Sequence, residues 1–284
     1  MMIDSLTMIY LNSFTFPSSE SRAFPHRFMR EKGIRGVEFS PITIFCGSNG
    51  SGKSTMLNII ARAIGVTKMT LGNEDEYFRS YVKDCSYIEG LRPEDTSFIR
   101  SEDIMEGIAS IRKRNEAIFD NVTVNAPKMD AMEIEGLSSK IMDPLSASNE
   151  DRFWLSRIKI AQDIHGKLNW RKEYYSNGET AMRYFNSRIM PNSLVFLDEP
   201  ENSLDAQYQH RLAAVLESLA TKSKCQFIIS THSPFLLAIE GAKILDLDSY
   251  PVRECRWYQL SNMRYYYRFF NLYSALFDYE EDTH

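Results

Sequence analysis

Residues 47–55 combine types and spacing that could bind phosphate. They read Gly-Ser-Asn-Gly-Ser-Gly-Lys-Ser-Thr and fit the pattern G-x-x-x-x-G-K-[ST]. The glycines let the backbone curl, so that successive N–H groups point into one concavity able to hold the β- and γ-phosphates of a nucleotide. Lys53 adds a positive charge for these phosphates, and the Ser54 hydroxyl is placed to ligate Mg²⁺. The predicted phosphate site comprises Gly47, Ser48, Asn49, Gly50, Ser51, Gly52, Lys53, Ser54 and Thr55.

Two adjacent carboxylates and one histidine follow apolar runs further along the chain. Asp198 and Glu199 come directly after the run 194–197, and His232 follows the run 226–229. In a parallel α/β sheet, ligands bind at the edge where the strands end. We predict that Asp198 holds Mg²⁺, that Glu199 polarises the water attacking the γ-phosphate, and that an imidazole N–H of His232 contacts that phosphate. The predicted catalytic residues are Lys53, Glu199 and His232.

The elements that must position these residues follow from hydrophobic periodicity. Apolar runs predict strands at 41–46, 194–197 and 226–229, and a further strand over 97–104 that ends in a polar turn at 100–102. Helical spacing predicts helices over 54–64, 104–118, 152–171 and 206–221, with a loop-rich stretch between 121 and 151. Alternation over 7–16 and a short run at 37–39 predict a small N-terminal antiparallel sheet. The predicted fold class is therefore α/β, with a mostly parallel sheet flanked by helices.

Composition and charge exclude several classes of protein. The chain has 284 residues, of which 43% are hydrophobic, and a net charge of −5, which argues against a broadly basic surface for nucleic acid. Its four cysteines contain no C-x-x-C pair, so they predict thiols in a reducing, cytoplasmic compartment instead of a metal site or a disulfide framework. No apolar run approaches the ~18 residues of a spanning helix, so we expect no insertion into a membrane.

The order of these motifs resembles that of the ABC-type P-loop ATPases. The phosphate loop, the Walker B run at 194–200, the D-loop at 203–205 and the switch histidine in 230–234 occur in the family's order. The resemblance implies a signature loop, matched by Tyr-Ser-Asn-Gly-Glu at 175–179, that closes over the ATP of a second protomer in a head-to-tail homodimer. It thereby adds Ser176, Gly178, Glu179 and Asp205 to the predicted nucleotide contacts. It also implies an ATP-binding core formed by 1–100 and 190–284, with a helical lobe inserted over 101–189.

Departures from the transporter form of the family refine the predicted function. The signature is YSNGE where transporters usually have LSGGQ, and the Q-loop glutamine has no clear counterpart, its place falling to Arg100 or Glu102. Similar stand-alone ATPases are related to those of DNA repair and to the OLD- and Septu-type phage-defence ATPases. The resemblance implies an ATP- and Mg²⁺-dependent dimerisation switch for an effector protein, such as a nuclease or toxin. The alternatives are the nucleotide-binding subunit of a transporter and a scaffold that binds ATP without hydrolysing it.

Two groups of aromatic residues leave their roles open. Tyr10, Phe24, His26 and Phe28 include candidates for stacking on adenine, against the alternative of packing in the core. Residues 253–270 interleave arginine with aromatic residues. That stretch could stack on single-stranded nucleic acid or dock a protein, but aromatic faces of this kind are more often core with solvated arginines.

Overall fold

The computed structural model describes residues 9–18, 21–66, 76–107, 109–110 and 177–277. Contacts divide the chain into two compact units, Met1–Met105 with Asn177–His284, and Glu106–Ser176. The predicted loop-rich stretch at 121–151, the predicted helix at 152–171 and most of the one at 104–118 lie outside the described residues. The predicted domain boundaries stay a prediction.

A six-stranded sheet forms the centre of the first unit, in the order β5-β6-β7-β3-β8-β9. Every pairing is parallel except the antiparallel pairing of β8 with β9. Each residue of β3, β6 and β7 is buried, as is typical of parallel strands covered on both faces. The strands are β3 (Ile42–Cys46), β5 (Asp95–Arg100), β6 (Ser193–Asp198), β7 (Gln226–Ser230), β8 (Lys243–Asp246) and β9 (Arg253–Cys255).

A second sheet is antiparallel, has three strands and takes the order β2-β1-β4. Its strands are β1 (Leu11–Thr15), β2 (Gly36–Glu38) and β4 (Ser86–Glu89). The predicted small N-terminal sheet is confirmed, and β4 is the strand of this sheet that sequence reasoning missed, as it also missed β8 and β9 of the large sheet. Because all four residues of β4 are exposed, it lacks the half-buried alternation by which strands are recognised.

Helices and two short 3₁₀ turns connect the strands. The central helix α2 buries Met56, Leu57, Ile59 and Ile60 in a core that also contains Phe98, Phe196 and Ile228 of the large sheet. The helices are α1 (His26–Lys32), α2 (Lys53–Ala63), α3 (Glu76–Lys83), α4 (Asn177–Arg188), α5 (Ala206–Lys222), α6 (Pro234–Leu237), α7 (Ser261–Leu272) and α8 (Ser274–Phe277), and the 3₁₀ turns are Pro200–Ser203 and Trp257–Gln259. The predicted fold class is confirmed.

Two local predictions are wrong. The strand predicted over 97–104 is β5, which ends at Arg100, and residues 101–107 are helical instead of forming a polar turn. The backbone N–H of Arg100 donates to the Asp103 carboxylate at 3.0 Å, which resembles the side-chain contacts that start helices. The aromatic residues of 253–270 do not join the core either, because most of them are exposed.

Gln226 joins the two sheets through hydrogen bonds. Its side chain is fully buried at the start of β7. The amide oxygen accepts from the backbone N–H groups of Tyr10 and Leu11 at 2.8 and 2.9 Å, and the amide nitrogen donates to the carbonyls of Leu11 and Ser40 at 3.0 and 3.3 Å. One side chain thus satisfies backbone groups that would otherwise be buried without a partner.

We expect Gln226→Ala to destabilise the protein by about 2–4 kcal/mol. The substitution leaves several buried backbone groups without a hydrogen-bond partner, at a cost of ~1–3 kcal/mol each. Urea unfolding followed by circular dichroism measures this change. Gln207→Ala, on the exposed face of α5, is the matched control and should change stability by less than about 0.5 kcal/mol. Equal stability of the two variants would contradict the bridging role.

Candidate nucleotide-binding and catalytic site

The site lies where β3, β6 and β7 end, because these parallel strands bring their carboxyl ends to one edge of the sheet. The register pairs Arg100 of β5 with Asp198 of β6, and Asp198 with Ser230 of β7. The phosphate loop follows β3, the strand next to β7. Segments separated by about 150 residues in sequence are thereby placed side by side.

The phosphate loop curls between β3 and α2. Gly50 and Gly52 have φ values of +79° and +95°, which glycine adopts without steric cost. A Cβ on Gly52 would lie 1.8 Å from the ring of Phe28, so the loop also needs glycine there for close packing. Ser48, Asn49 and Gly50 are exposed at the tip, while Gly47 and Ser51 are buried. The Ser51 hydroxyl is buried without a hydrogen-bond partner among the residues described, as suits a group that faces a ligand.

Lys53 is the cation of the site and is only 4% exposed. Its ammonium donates to the carbonyls of Gly47 and Ser48 at 3.0 and 3.2 Å and lies 3.3 Å from the Glu199 carboxylate. The first turn of α2, which also holds Ser54 and Thr55, points its backbone N–H groups toward the same space. The arrangement presents fixed positive charge to an anion.

Asp198 connects the phosphate-loop helix to the sheet. Its Oδ1 accepts from the hydroxyls of Ser54 at 2.9 Å and Ser230 at 2.5 Å. Burial raises the pKa of Asp198, although these two hydrogen bonds oppose the rise. Because each hydroxyl donates its proton to Asp198, the lone pairs of the Ser54 oxygen stay available.

These oxygens fit a magnesium ion. Mg²⁺ prefers hard oxygen ligands and commonly uses one or two protein groups together with substrate phosphates and water. Among the residues the structure describes, no group of three or more His, Cys, Asp or Glu side chains is gathered to hold a metal. Ser54 and Asp198 would hold the ion, which would neutralise charge on the phosphates.

Glu199 stands in a strained conformation directly after β6. Its φ of +47° is rare for a residue other than glycine and costs roughly 1 kcal/mol or more. Its N–H donates to the Ser230 carbonyl at 2.9 Å, and Asn202 donates to its carboxylate at 3.0 Å. Burial pushes the pKa of Glu199 upward, but the Asn202 hydrogen bond and the charge of Lys53 outweigh it and leave the pKa below its ordinary value. Glu199 is therefore a carboxylate at neutral pH, as a residue that accepts a proton must be.

Glu201 is a site residue that sequence reasoning missed. It is 3% exposed, and its Oε1 accepts from the Thr231 hydroxyl at 2.6 Å and from the His232 backbone N–H at 2.8 Å. The same oxygen lies 3.3 Å from Nδ1 of His232, whose side chain is 44% exposed. Nδ1 makes no hydrogen bond to a described residue at this distance, so Glu201 positions His232 through the backbone N–H and places its carboxylate beside the imidazole. The sequence feature that could have pointed to Glu201 is its position as an acidic residue between Pro200 and the apolar Leu204.

Asp248 is a second missed residue, and it anchors the phosphate loop. Its carboxylate accepts from the Ser48 N–H at 2.8 Å and from the Ser48 hydroxyl at 2.9 Å. Asp248 follows β8, whose pairing with β3 brings the two strand ends together. An isolated aspartate in a polar turn carries no signal of this role, which depends on the strand order.

The described contacts of the predicted signature residues lie around the starts of α4 and α5. Gly178 is buried at the start of α4, where a Cβ would lie 2.2 Å from the ring of Tyr208. Glu179 lies 3.9 Å from Arg183 in the next turn. Asp205 accepts from the Tyr208 N–H at 3.0 Å and so caps α5. Ser176 lies outside the described residues.

The structure gives the four adenine-stacking candidates different surroundings. Tyr10 is buried and donates to the Lys224 carbonyl, and the His26 ring packs edge-on against Tyr81. Phe28 lies against Gly52. Phe24 is 51% exposed with its ring centroid 6.2 Å from that of Phe28. Phe24 is therefore the candidate with a ring free to accept a base beside the phosphate loop.

The two candidates for the Q-loop position both lie near Asp198. Arg100 pairs with Asp198 in register, and the charge of Glu102 contributes to the raised pKa of Asp198. The guanidinium of Arg100 lies 5.9 Å from the centre of the Phe98 ring. The choice between the two residues stays a prediction.

The fold and the site define a P-loop nucleoside triphosphatase, and comparisons with known proteins narrow this class. A family model described as "AAA domain, putative AbiEii toxin, Type IV TA system" matches residues 173–238. The hemin import ATP-binding protein HmuV of Vibrio anguillarum is 22% identical over 78% of this chain and 76% of its own length. ABC transporter G family member 12 of Dictyostelium discoideum is 25% identical over 70% of this chain but only 28% of its own length.

Among solved structures, the Smc head domain of Pyrococcus furiosus, bound to the C-terminal domain of ScpA, has a TM-score of 0.42 and 13% identity. The match covers 92% of this chain and 100% of the Smc head domain chain. Together with the order of the motifs, the sequence relatives indicate an ATP-hydrolysing ATPase that is similar to the ABC type. Within the described part of the chain, no helix is long and apolar enough to cross a membrane.

We expect Glu201→Gln to lower kcat about 10-fold, because the neutral amide orients His232 less firmly than the carboxylate. A 10-fold loss of rate corresponds to a rise of about 1.4 kcal/mol in the activation free energy. Gln keeps an acceptor for the Thr231 hydroxyl. If Glu201 acts through His232, adding Glu201→Gln to His232→Ala should cost little more than His232→Ala alone.

Steady-state release of phosphate from the four proteins of this cycle measures the coupling. Glu240→Gln, at an exposed position, is the matched control and should leave kcat unchanged. Additive losses in the double variant would show that Glu201 supports the fold instead of positioning His232.

Proposed function

We propose that this ATPase is a nucleotide-dependent dimerisation switch for a partner effector. The observation that supports the proposal is that the two groups of predicted nucleotide contacts have different neighbours in the described structure. Lys53, Asp198, Glu199 and His232 lie around the phosphate loop, whereas Gly178 packs against Tyr208 at the start of α4. A second protomer in head-to-tail orientation would bring its signature residues, Ser176, Gly178 and Glu179, to the ATP held by the first.

Hydrolysis in this proposal uses the described residues as follows. The phosphate-loop amides and Lys53 bind the β- and γ-phosphates, and Ser54 and Asp198 hold Mg²⁺. Glu199 orients the attacking water and accepts its proton, while Lys53 stabilises the charge on the transferred phosphoryl group. His232, whose backbone N–H is held by Glu201, contacts the γ-phosphate through its imidazole and responds to its loss. Loss of that phosphate would release the dimer.

The effector is proposed to be a nuclease or toxin acting in genome maintenance or phage defence in the cytoplasm. The match to a family model whose description names a toxin of a toxin–antitoxin system supports this role. The relatives named for hemin import and for an ABC transporter support the alternative, a nucleotide-binding subunit of a transporter. Stable co-purification with a polytopic membrane protein would favour that alternative. A scaffold that does not hydrolyse ATP is disfavoured by the assembled Glu199 and His232.

We expect the Glu199→Gln variant to form a dimer with Mg-ATP, at twice the 32.9 kDa of one chain, and to remain monomeric with Mg-ADP. Gln cannot accept the proton of the attacking water, so the ATP-bound state should accumulate. Light scattering after size exclusion measures the mass. Adding Lys53→Ala, which removes the charge that binds phosphate, should abolish the dimer. A mass that does not respond to nucleotide would contradict the switch.

We expect Phe24→Ala to raise the Kd for ATP about 10-fold, since stacking of a base on an aromatic ring contributes ~1–3 kcal/mol. Phe24→Trp retains a ring and should bind ATP as the native chain does. Calorimetric titration in the Glu199→Gln background avoids turnover. Native affinity in Phe24→Ala would assign the adenine to another surface.

A further inference from the structure

Residues 257–277, here called the C-terminal aromatic segment, expose an unusual amount of aromatic and aliphatic surface. The segment contains the 3₁₀ turn Trp257–Gln259, α7 and α8, and is attached to the core by Leu260 and Met263, which are 5% and 6% exposed. Isolated exposed apolar residues are normal, but a contiguous patch of this size marks an interaction site. Its exposed members are Trp257, Tyr258, Tyr265, Tyr266, Tyr267, Phe269, Phe270, Leu272, Tyr273, Leu276 and Phe277.

Four aromatic rings in the second half of the segment contact each other and form one cluster. The ring centroids of Phe269 and Tyr273 are 5.0 Å apart, those of Phe269 and Phe270 are 5.5 Å apart, and those of Phe270 and Phe277 are 6.2 Å apart. At about 100° per residue, the large hydrophobic residues of α7 span roughly 220° of the helix circumference. The remaining arc carries Arg264, Arg268 and Asn271. A helix with so wide an apolar arc is normally enclosed by other protein.

The charge of the segment complements an acidic partner. Arg264 and Arg268 are the only charged residues from 257 to 277, which gives the segment a charge of +2; Arg256 precedes it, and Asp278, Glu280, Glu281 and Asp282 follow it. The chain as a whole carries −5, so the residues outside the segment carry −7. The two arginines of α7 border the apolar arc, where they would meet the rim of a groove.

The directions of these side chains disfavour nucleic acid and lipid as the ligand. Arg264 and Arg268 lie on the side of α7 opposite Tyr266, the residue at the centre of the apolar arc, so phosphates and stacked bases could not be contacted together. In a bilayer, that central position would bury a tyrosine hydroxyl among acyl chains, where it has no hydrogen-bond partner. A protein groove can supply an acceptor, and buried tyrosines are common at the centres of protein interfaces.

We propose that the C-terminal aromatic segment docks as a helix into an apolar groove with an acidic rim on a partner protein. Tyr266, Phe269, Phe270 and Tyr273 follow the i, i+3, i+4, i+7 spacing by which helices fill such grooves. The inference deepens the proposed function, because a switch needs a surface that holds its effector. It depends on that function only for the partner's role, since docking is measured with and without nucleotide.

Site-specific crosslinking identifies the partner. A photoreactive phenylalanine analogue replaces Phe270 in the full chain, in cells that make the protein, and another replaces Asn271, which lies about 100° around α7 from Phe270 and outside the apolar arc. The expected result is one protein crosslinked from position 270 and not from position 271, with the crosslink in an apolar groove bordered by Asp or Glu. A crosslink only to a second copy of the chain, or to another part of the same chain, would overturn the proposal.

Binding of the purified partner then tests the surface. Phe270→Asp should weaken binding at least about 30-fold, as expected for an interface hot spot, and Arg268→Glu should weaken it mainly at low salt. Tyr77→Asp, at an exposed aromatic of α3, is the matched control and should bind as the native chain does. All three variants should retain ATPase activity. Equal binding by Phe270→Asp and Tyr77→Asp would overturn the proposal.

The same variants test the other ligand classes. Fluorescence anisotropy with a thymidine oligonucleotide and flotation with vesicles of phosphatidylcholine and phosphatidylserine in equal parts should show no binding that Phe270→Asp removes. Binding of either probe that Phe270→Asp abolishes would overturn the proposal in favour of nucleic acid or membrane. If Glu199→Gln does not dimerise with ATP, the switch proposal is contradicted but the docking result is unaffected. The two proposals are therefore tested by separate measurements.

Discussion

The contact between Asp198 and two serine hydroxyls is the interaction on which the site depends. Ser54 belongs to the phosphate-loop helix and Ser230 to the neighbouring strand, and both donate to the same oxygen of Asp198. One buried carboxylate, at the end of β6, therefore connects the phosphate-loop helix to β7 directly before Glu199. Burial disfavours the charged form of Asp198; the two hydroxyls oppose the resulting rise in its pKa, and a bound cation would oppose it further.

Three acidic residues within four positions serve different purposes because the backbone turns between them. Asp198 ends β6 and faces the sheet edge, Glu199 is turned toward Lys53 by its left-handed conformation, and Glu201 is buried in the following 3₁₀ turn beside His232. The pKa values of Asp198 and Glu199 move in opposite directions. Environment, not residue type, thus distinguishes the predicted metal ligand from the predicted proton acceptor, and it places Glu201 where it contacts the His232 backbone.

The chain divides its contact surfaces between two regions of the first unit. The phosphate loop and its neighbours lie at the carboxyl edge of the sheet, while the C-terminal aromatic segment follows β9, the outermost strand. Such separation suits a switch, since nucleotide and effector would not compete for the same residues. The large exposed aromatic surface is costly in water, and a partner that covers it removes that cost.

The sequence alone determined the central strands, the phosphate loop and the roles proposed for Lys53, Asp198, Glu199 and His232, because glycine spacing and wholly apolar runs are local signals. Its periodicity also placed α2 and α5 correctly. Only the tertiary structure decided that Glu201 holds His232, that Asp248 anchors Ser48 and that the C-terminal aromatic residues are exposed. Each of these depends on contacts between segments distant in sequence: strand order places Asp248 beside β3, and no local pattern distinguishes an aromatic helix that packs inward from one that faces solvent.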